Sequence, residues 1–183
     1  MNTRTVENIK LMLLKPDIAE YLRSKCKYQK NSAIKNGVLN FIFEGGGDPS
    51  FGRYVSRKAI LKNFQGKLIK SSRSHSLTLE AEPTRFVIEL IGASLKAGAE
   101  PLDIVSEEPN CLNVLFYLHP RMRYFAGYIN ALIQLDDNHL KLSLTITFPF
   151  QLFAWGVAKS IERTIVEELT LSGKNDNGFR IEN

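Results

Sequence analysis

A strict alternation of apolar and polar residues between Leu140 and Phe148 constrains the fold more than any other feature. Leucine, isoleucine or phenylalanine occupies every even position, and lysine, serine or threonine occupies every odd position. Because successive side chains of a β-strand point to opposite sides, the run predicts a strand with one face in the core and the other toward water. A half-buried strand of this kind is typical of an antiparallel sheet.

A long amphipathic helix is predicted after this strand, over residues 151–171. Its apolar residues recur at helical spacing with charged residues between them, so Glu162 is expected on the exposed side. Gly173 is predicted to cap the helix, and residues 174–183 are expected to form a polar, mobile tail. The apolar positions are Ala154, Val157, Ala158, Ile161, Ile165 and Leu169.

An earlier helix is predicted to start at Glu82-Pro83-Thr84 and to continue through about Ala97, with Gly98 as its C-cap. Shorter apolar runs predict strands at residues 76–79, 102–105 and 112–118. A further short helix is predicted to begin at Pro16 or Asp17 and to end at Lys25.

The stretch 121–135 fits two different structures, and the choice decides the architecture. If it is helical, the element order from Ser76 is similar to that of a ferredoxin-like βαββαβ unit with an extra helix. If it is a strand, the order resembles the helix-grip arrangement of the START and Bet v 1 superfamily. Both alternatives predict an α+β fold with an antiparallel sheet, helices packed on one face and a long C-terminal amphipathic helix.

Charge divides the chain into two parts. Residues 1–75 contain 15 Lys and Arg against 5 Asp and Glu, whereas residues 76–183 contain 9 against 14. We therefore predict a basic α+β segment over 1–75, integral to the same domain or beside it, and an α+β core over 76–173. Such an asymmetry indicates either a polyanionic partner or contact between the two parts of one molecule.

Basic residues are densest between residues 53 and 73, where aromatic residues are interleaved with them. Lysine and arginine neutralise phosphates, and exposed aromatic rings stack on unpaired bases for about 1–3 kcal/mol each. We expect a non-enzymatic nucleic-acid-binding or nucleoprotein-assembly subunit, with RNA or DNA as partner and a protein or a second copy as a further one. The predicted contact residues are Arg53, Tyr54, Arg57, Lys58, Lys62, Lys67, Lys70 and Arg73.

Three consecutive glycines, Gly45, Gly46 and Gly47, form a candidate phosphate loop. Backbone N–H groups of such a loop bind phosphate when the loop leads into a helix. The chain contains neither GxxxxGK[ST] nor GxGxxG, and a strand-like run follows the loop. A hairpin connection is therefore the alternative to a phosphate site.

Two other functions fit the sequence. A cavity in a helix-grip fold would be lined by Phe148, Phe150, Leu152, Phe153 and Trp155. This arrangement predicts a protein that binds an apolar small molecule between the sheet and the C-terminal helix. A third candidate is an RNA-processing enzyme on a ferredoxin-like fold, with His75 as its acid or base.

No signature of a catalytic, metal or cofactor site is present in the sequence, so catalytic residues stay unassigned and neither a metal nor a cofactor is expected. The longest charge-free run, residues 142–158, contains serine, threonine, proline and glutamine, and it does not predict a transmembrane segment. No signal peptide is visible at the first residues, which leads us to expect a cytoplasmic location.

Overall fold

The structure of the protein is a computed structural model. It describes residues 8–9, 11–25, 70–105, 110–118, 127–136, 139–149, 156–175 and 180–182. In chain order the elements are helix α1 (Pro16–Lys25), strand β1 (Lys70–Glu80), helix α2 (Pro83–Ala97), strands β2 (Ala99–Val105), β3 (Cys111–Leu118), β4 (Gly127–Asp136) and β5 (His139–Pro149), helix α3 (Val157–Asn175) and strand β6 (Arg180–Glu182).

The strands form one open antiparallel sheet in the order β2-β3-β4-β5-β1-β6. Strands β2 to β5 follow one another both in the chain and in the sheet. Strand β1, the first strand in the chain, pairs with β5, the last of these four. Five strands are long, and the three-residue strand β6 extends the sheet beside β1. The predicted α+β class with an antiparallel sheet is confirmed.

The ambiguous stretch is a strand over its described part, because β4 covers residues 127–136 and pairs with both β3 and β5. Ile129, Ala131 and Ile133 are buried at alternate positions, which only a strand between two others satisfies. The helical alternative for this stretch, and with it the ferredoxin-like order, does not hold. From β1 to α3 the order is strand, helix, four strands, helix, as the strand alternative predicts.

Both ends of α2 follow from local sequence. Glu82 is the N-cap, and its carboxylate accepts hydrogen bonds from the backbone N–H groups of Thr84 at 2.9 Å and Arg85 at 2.7 Å. Pro83 occupies the first turn, where a missing N–H costs nothing. Gly98 ends the helix with a left-handed φ of 87°, a conformation that favours glycine. The predicted bounds of this helix are confirmed.

The core lies between one face of the sheet and the helices. The even residues of β5, from Leu140 to Phe148, are at most 1% exposed, as their alternation predicts. They belong to one buried cluster with side chains of α2 and α3, including Phe86 and Ile165. The described helices therefore pack on one face of the sheet, which we call the covered face; the opposite one is the open face.

The N-terminal residues share this core. Ile9, Leu13 and Leu22 are at most 2% exposed and belong to the same buried cluster as the sheet. The first two lie in a short helical stretch, residues 8–9 and 11–13, that precedes α1. The described part of residues 1–75 is thus packed on the α+β core.

The C-terminal elements extend further than the sequence suggests. Helix α3 continues past Gly173 to Asn175. Within the segment expected to be a mobile tail, Arg180–Glu182 forms β6 and pairs with residues 78–80 of β1. Residues 151–155, where the helix was expected to begin, lie outside the described residues.

Candidate functional site

The basic segment enters the described sheet through β1. Lys70 is the first residue of this strand, and Arg73 follows three positions later. The candidate phosphate loop, Gly45, Gly46 and Gly47, lies outside the described residues. So do the six remaining predicted contacts, which are Arg53, Tyr54, Arg57, Lys58, Lys62 and Lys67.

Strand β1 presents different residues to the two faces of the sheet. Arg73 lies opposite Ile146 of β5, and His75 lies opposite Leu144. Because directly paired residues share a face, Arg73 and His75 belong to the covered face. The serines between them belong to the open face.

Arg73 forms an ion pair with Glu162 of α3. Its Nε donates to Oε2 of the carboxylate, and its Nη2 lies 3.3 Å from Oε1. Glu162 is 7% exposed, so the two-pronged contact compensates for the loss of water around its charge. The charge of Arg73 is thus already balanced within the protein.

His75 joins the same carboxylate. Its Nδ1 lies 3.3 Å from Oε1 of Glu162. Its Nε2 is shielded from solvent and has no hydrogen-bond partner among the described residues. Because an acid or base must reach its substrate, this orientation favours a structural role for His75, in joining β1 to α3.

The prediction that Glu162 is exposed is wrong. Ala158 precedes it by four residues and Ile165 follows it by three, and both are buried. This spacing is the signal that could have placed Glu162 toward the sheet. Its partner could not have been found in the same way, since Arg73 is 89 positions away.

A second polar cluster connects the three helices. The Tyr21 hydroxyl of α1 donates to Oε2 of Glu89 in α2 at 2.5 Å. Glu168 of α3 accepts a hydrogen bond from Lys96 of α2 and lies 3.6 Å from Nζ of Lys25 in α1. Burial and the hydrogen bond to Glu89 raise the pKa of Tyr21 well above its usual value, so this hydroxyl stays protonated. None of these contacts was predicted from the sequence.

The open face of β1 and β5 carries hydroxyl groups in cross-strand pairs. Their oxygen atoms are 3.0, 3.2 and 3.4 Å apart, so each pair is within reach of a hydrogen bond, the second and third at long distances. The three members in β1 are all exposed serines, whereas Ser143 and Thr145 are partly buried and Thr147 is 3% exposed. We name these six residues the hydroxyl strip. From the start of β1 its pairs are Ser72–Thr147, Ser74–Thr145 and Ser76–Ser143.

Charged residues of both signs follow the hydroxyl strip, since Lys141 of β5 and Glu182 of β6 lie on the two sides of Thr78. Exposed Lys141 lies opposite Thr78, in the row after the last hydroxyl pair. Glu80 is the first carboxylate along β1, and its register partner in β6 is Arg180. At the other end, β1 begins with Lys70. An anion that approaches the strip therefore meets no carboxylate within it.

A small apolar cluster occupies the other part of the open face. Tyr117 of β3 lies opposite Tyr128 of β4, and both pack with Leu102 and Leu115. Tyr128 is 9% exposed and Leu102 is 1% exposed. These rings are therefore not an exposed platform for stacking bases.

Other features give no indication of a reaction. Among the residues that the structure describes, no group of three or more histidine, cysteine, aspartate or glutamate residues could hold a metal ion. None of the described helices is both long and apolar enough to cross a membrane. Comparisons of the chain with protein-family models, curated proteins and solved structures found no match.

Proposed function

We propose that the chain is a non-enzymatic subunit that binds nucleic acid through its basic part, residues 1–75. The observation that carries the proposal is the division of charge, 15 basic against 5 acidic residues in this part and 9 against 14 in the rest. Phosphates dominate the affinity of nucleic acids for proteins, because each neutralised phosphate releases counterions. A concentrated basic segment supplies this interaction.

Contact between the two parts of the chain is the alternative explanation of the charge asymmetry. It accounts for some of the basic residues. Lys25 and Arg73 of the basic part lie beside Glu168 and Glu162 of the acidic part. We therefore leave Arg73 out of the proposed contact surface. The basic residues between 53 and 67 remain in the proposed contact surface together with Lys70.

Salt dependence of binding tests the proposal. Fluorescence anisotropy of labelled single-stranded RNA and DNA gives the dissociation constant at several salt concentrations. For wild type we expect log affinity to fall linearly with log salt. In Arg57→Ala/Lys58→Ala we expect the slope to decrease by about 1.4 and affinity near 0.1 M salt to fall by about 10- to 30-fold, at roughly 0.7 per lost phosphate contact.

A control variant removes two positive charges from the exposed side of α3. In Lys159→Ala/Arg163→Ala the total charge changes equally, but the slope is expected to stay near the wild-type value. The proposal would be contradicted if the wild-type protein showed no measurable binding at low salt. An equal decrease in both variants would show that net charge alone, and not the basic segment, determines binding.

A second candidate is a protein that binds an apolar small molecule between the sheet and α3. The observation in its favour is the helix-grip order of elements, with β1 beside the last strand of the meander. However, the described side chains of this interior are closely packed, with Leu144, Ile146, Ile161 and Ile165 at most 7% exposed. For this reason it ranks after nucleic-acid binding.

Fluorescence of Trp155, the single tryptophan of the chain, tests the second candidate. A saturable change on titration with a fatty acid or a sterol would support it. A signal that changes only in proportion to the added ligand would exclude those ligands.

A further inference from the structure

We propose that the hydroxyl strip is a docking surface for the sugar–phosphate backbone of a single-stranded nucleic acid, which lies along β1. This inference rests on the proposed function and extends its binding surface from the basic segment onto the sheet. It assigns to the open face a ligand class, the phosphodiester backbone, that the basic segment alone does not specify.

Each hydroxyl pair retains one donor for a ligand. A hydroxyl carries one O–H donor and two acceptor lone pairs. Within a pair one hydroxyl donates to the other, so the second O–H has no acceptor among the described residues. Phosphate oxygens accept hydrogen bonds from serine and threonine side chains in many nucleic-acid complexes. In the rows of Ser74 and Ser76 both members reach the surface at least in part, so each of these rows offers a donor. In the row of Ser72 only the serine is exposed, because Thr147 is buried.

The geometry of the strip repeats along the strand. Side chains on one face of a strand recur every second residue, about 6.6–6.8 Å apart. The exposed serines Ser72, Ser74 and Ser76 therefore follow one another along the strand at this spacing. An extended single strand has a phosphate at each repeat and can follow such a line.

The position of the basic segment supports the same occupant. The three rows themselves contain no carboxylate, and beyond the last pair Lys141 and Glu182 lie on the two sides of Thr78. The basic segment joins the strip at the opposite end, because it leads directly into Lys70. In chain order, a polyanion held by residues 53–67 would therefore meet the exposed serines of β1 next.

Removal of the central hydroxyl pair tests the inference. The variant Ser74→Ala/Thr145→Val deletes both members, so no unpaired hydroxyl is left behind, and valine keeps the shape of threonine. We expect the affinity for a single strand of about 10 nucleotides to fall by about 10- to 150-fold, as for one lost hydrogen bond to a charged group. The salt slope should not change, because no charge is removed.

The matched control also removes one serine and one threonine hydroxyl. In Ser160→Ala/Thr164→Val both deleted groups lie on the exposed side of α3, and we expect wild-type affinity. An abasic strand of the same length serves as a second probe, since it keeps the phosphates without the bases. It should lose affinity for the Ser74→Ala/Thr145→Val variant by the same factor as the complete strand.

The outcomes separate this inference from the proposed function. If wild type binds and the strip variant binds equally well, the strip is not a docking surface and nucleic-acid binding still stands. If only the base-containing strand is affected, the strip contacts bases and the backbone assignment is wrong. If wild type binds neither strand at low salt, the proposed function fails and this inference fails with it.

Discussion

Strand β5 shows how different the two faces of the sheet are. Leu144 and Ile146 are at most 1% exposed and pack under the helices, whereas Thr145 between them shares a hydrogen bond with Ser74 on the open face. The covered face combines fully buried apolar side chains with an ion pair to α3. The open face beside it carries hydroxyl groups and an exposed lysine.

This difference indicates that one alternating run serves two purposes. A buried methyl group that is removed leaves a cavity that its neighbours fill only in part. An exposed hydroxyl that is removed is replaced by water at little cost. We therefore expect the covered face to determine stability and the open face to be available to a ligand.

The same substitution on the two faces should give the largest contrast. Leu144→Ala on the covered face is expected to lower the free energy of unfolding by about 2–5 kcal/mol. Leu132→Ala lies on the open face, where the leucine is only partly buried, and should cost about 1 kcal/mol or less. Urea unfolding of both variants measures the contrast, and equal losses would remove the distinction between the faces.

The ion pair of the covered face should matter more than an ion pair at the surface. Glu162→Gln leaves Arg73 and His75 without a charged partner, and we expect a loss of about 2 kcal/mol because the carboxylate is buried. Glu167→Gln breaks an exposed pair with Arg163 and should cost less than about 0.5 kcal/mol. Similar losses in the two variants would mean that burial of Glu162 does not strengthen its contacts.

The N-cap of α2 makes the free energy of unfolding depend on pH. Burial raises the pKa of Glu82, but hydrogen bonds from the backbone N–H groups of Arg85 and Thr84 outweigh this and hold the pKa below its ordinary value. A lowered pKa stabilises the fold at pH values above the ordinary pKa of glutamate. That contribution is lost as the pH falls through the pKa of the folded state.

Comparison of Glu82→Ala with wild type measures this contribution. The variant should be less stable by about 1 kcal/mol at neutral pH, as for other lost N-caps. The difference should shrink as the pH falls through the pKa of folded Glu82, because both proteins then lack the ionised cap. A difference that does not depend on pH would show that the charge of Glu82 is not what caps the helix.

The hydroxyl strip should contribute least to stability. Ser74→Ala/Thr145→Val removes a whole exposed pair, so the free energy of unfolding is expected to change by no more than about 0.5 kcal/mol. Thermal unfolding checks this, and a normal transition also shows that any loss of binding does not come from misfolding. A loss above 2 kcal/mol would mean that the open face is part of the structural core.

Local signals in the sequence were sufficient for some elements. The cap residues Glu82 and Gly98 determine both ends of α2, and the alternation over 140–148 determines both faces of β5. The stretch 121–135 could not be decided, because its apolar residues satisfy the helical and the strand period alike. Pairing of β4 with β3 and β5 decides it, and such pairing is a property of the tertiary structure.

The polar contacts could be predicted even less. Arginine is a residue type that contacts phosphates, but the position of Arg73 in β1 places its side chain toward α3. There it binds the carboxylate of Glu162, which is 89 positions away in the chain. The hydroxyl strip forms from two segments about 70 residues apart, and neither segment shows a recognisable motif. Charge density indicated the proposed ligand class, and the sheet register showed which side chains share a face.

Methyl NMR of β5 during titration with a single-stranded oligonucleotide tests the division between the faces most directly. Thr145 carries a methyl group on the open face, and Leu144 and Ile146 carry them on the covered face, within the same strand. We predict that the Thr145 methyl signal shifts with saturable dependence on the oligonucleotide while the leucine and isoleucine signals stay in place. Shifts confined to the covered face, or no shift at all at low salt, would contradict the account.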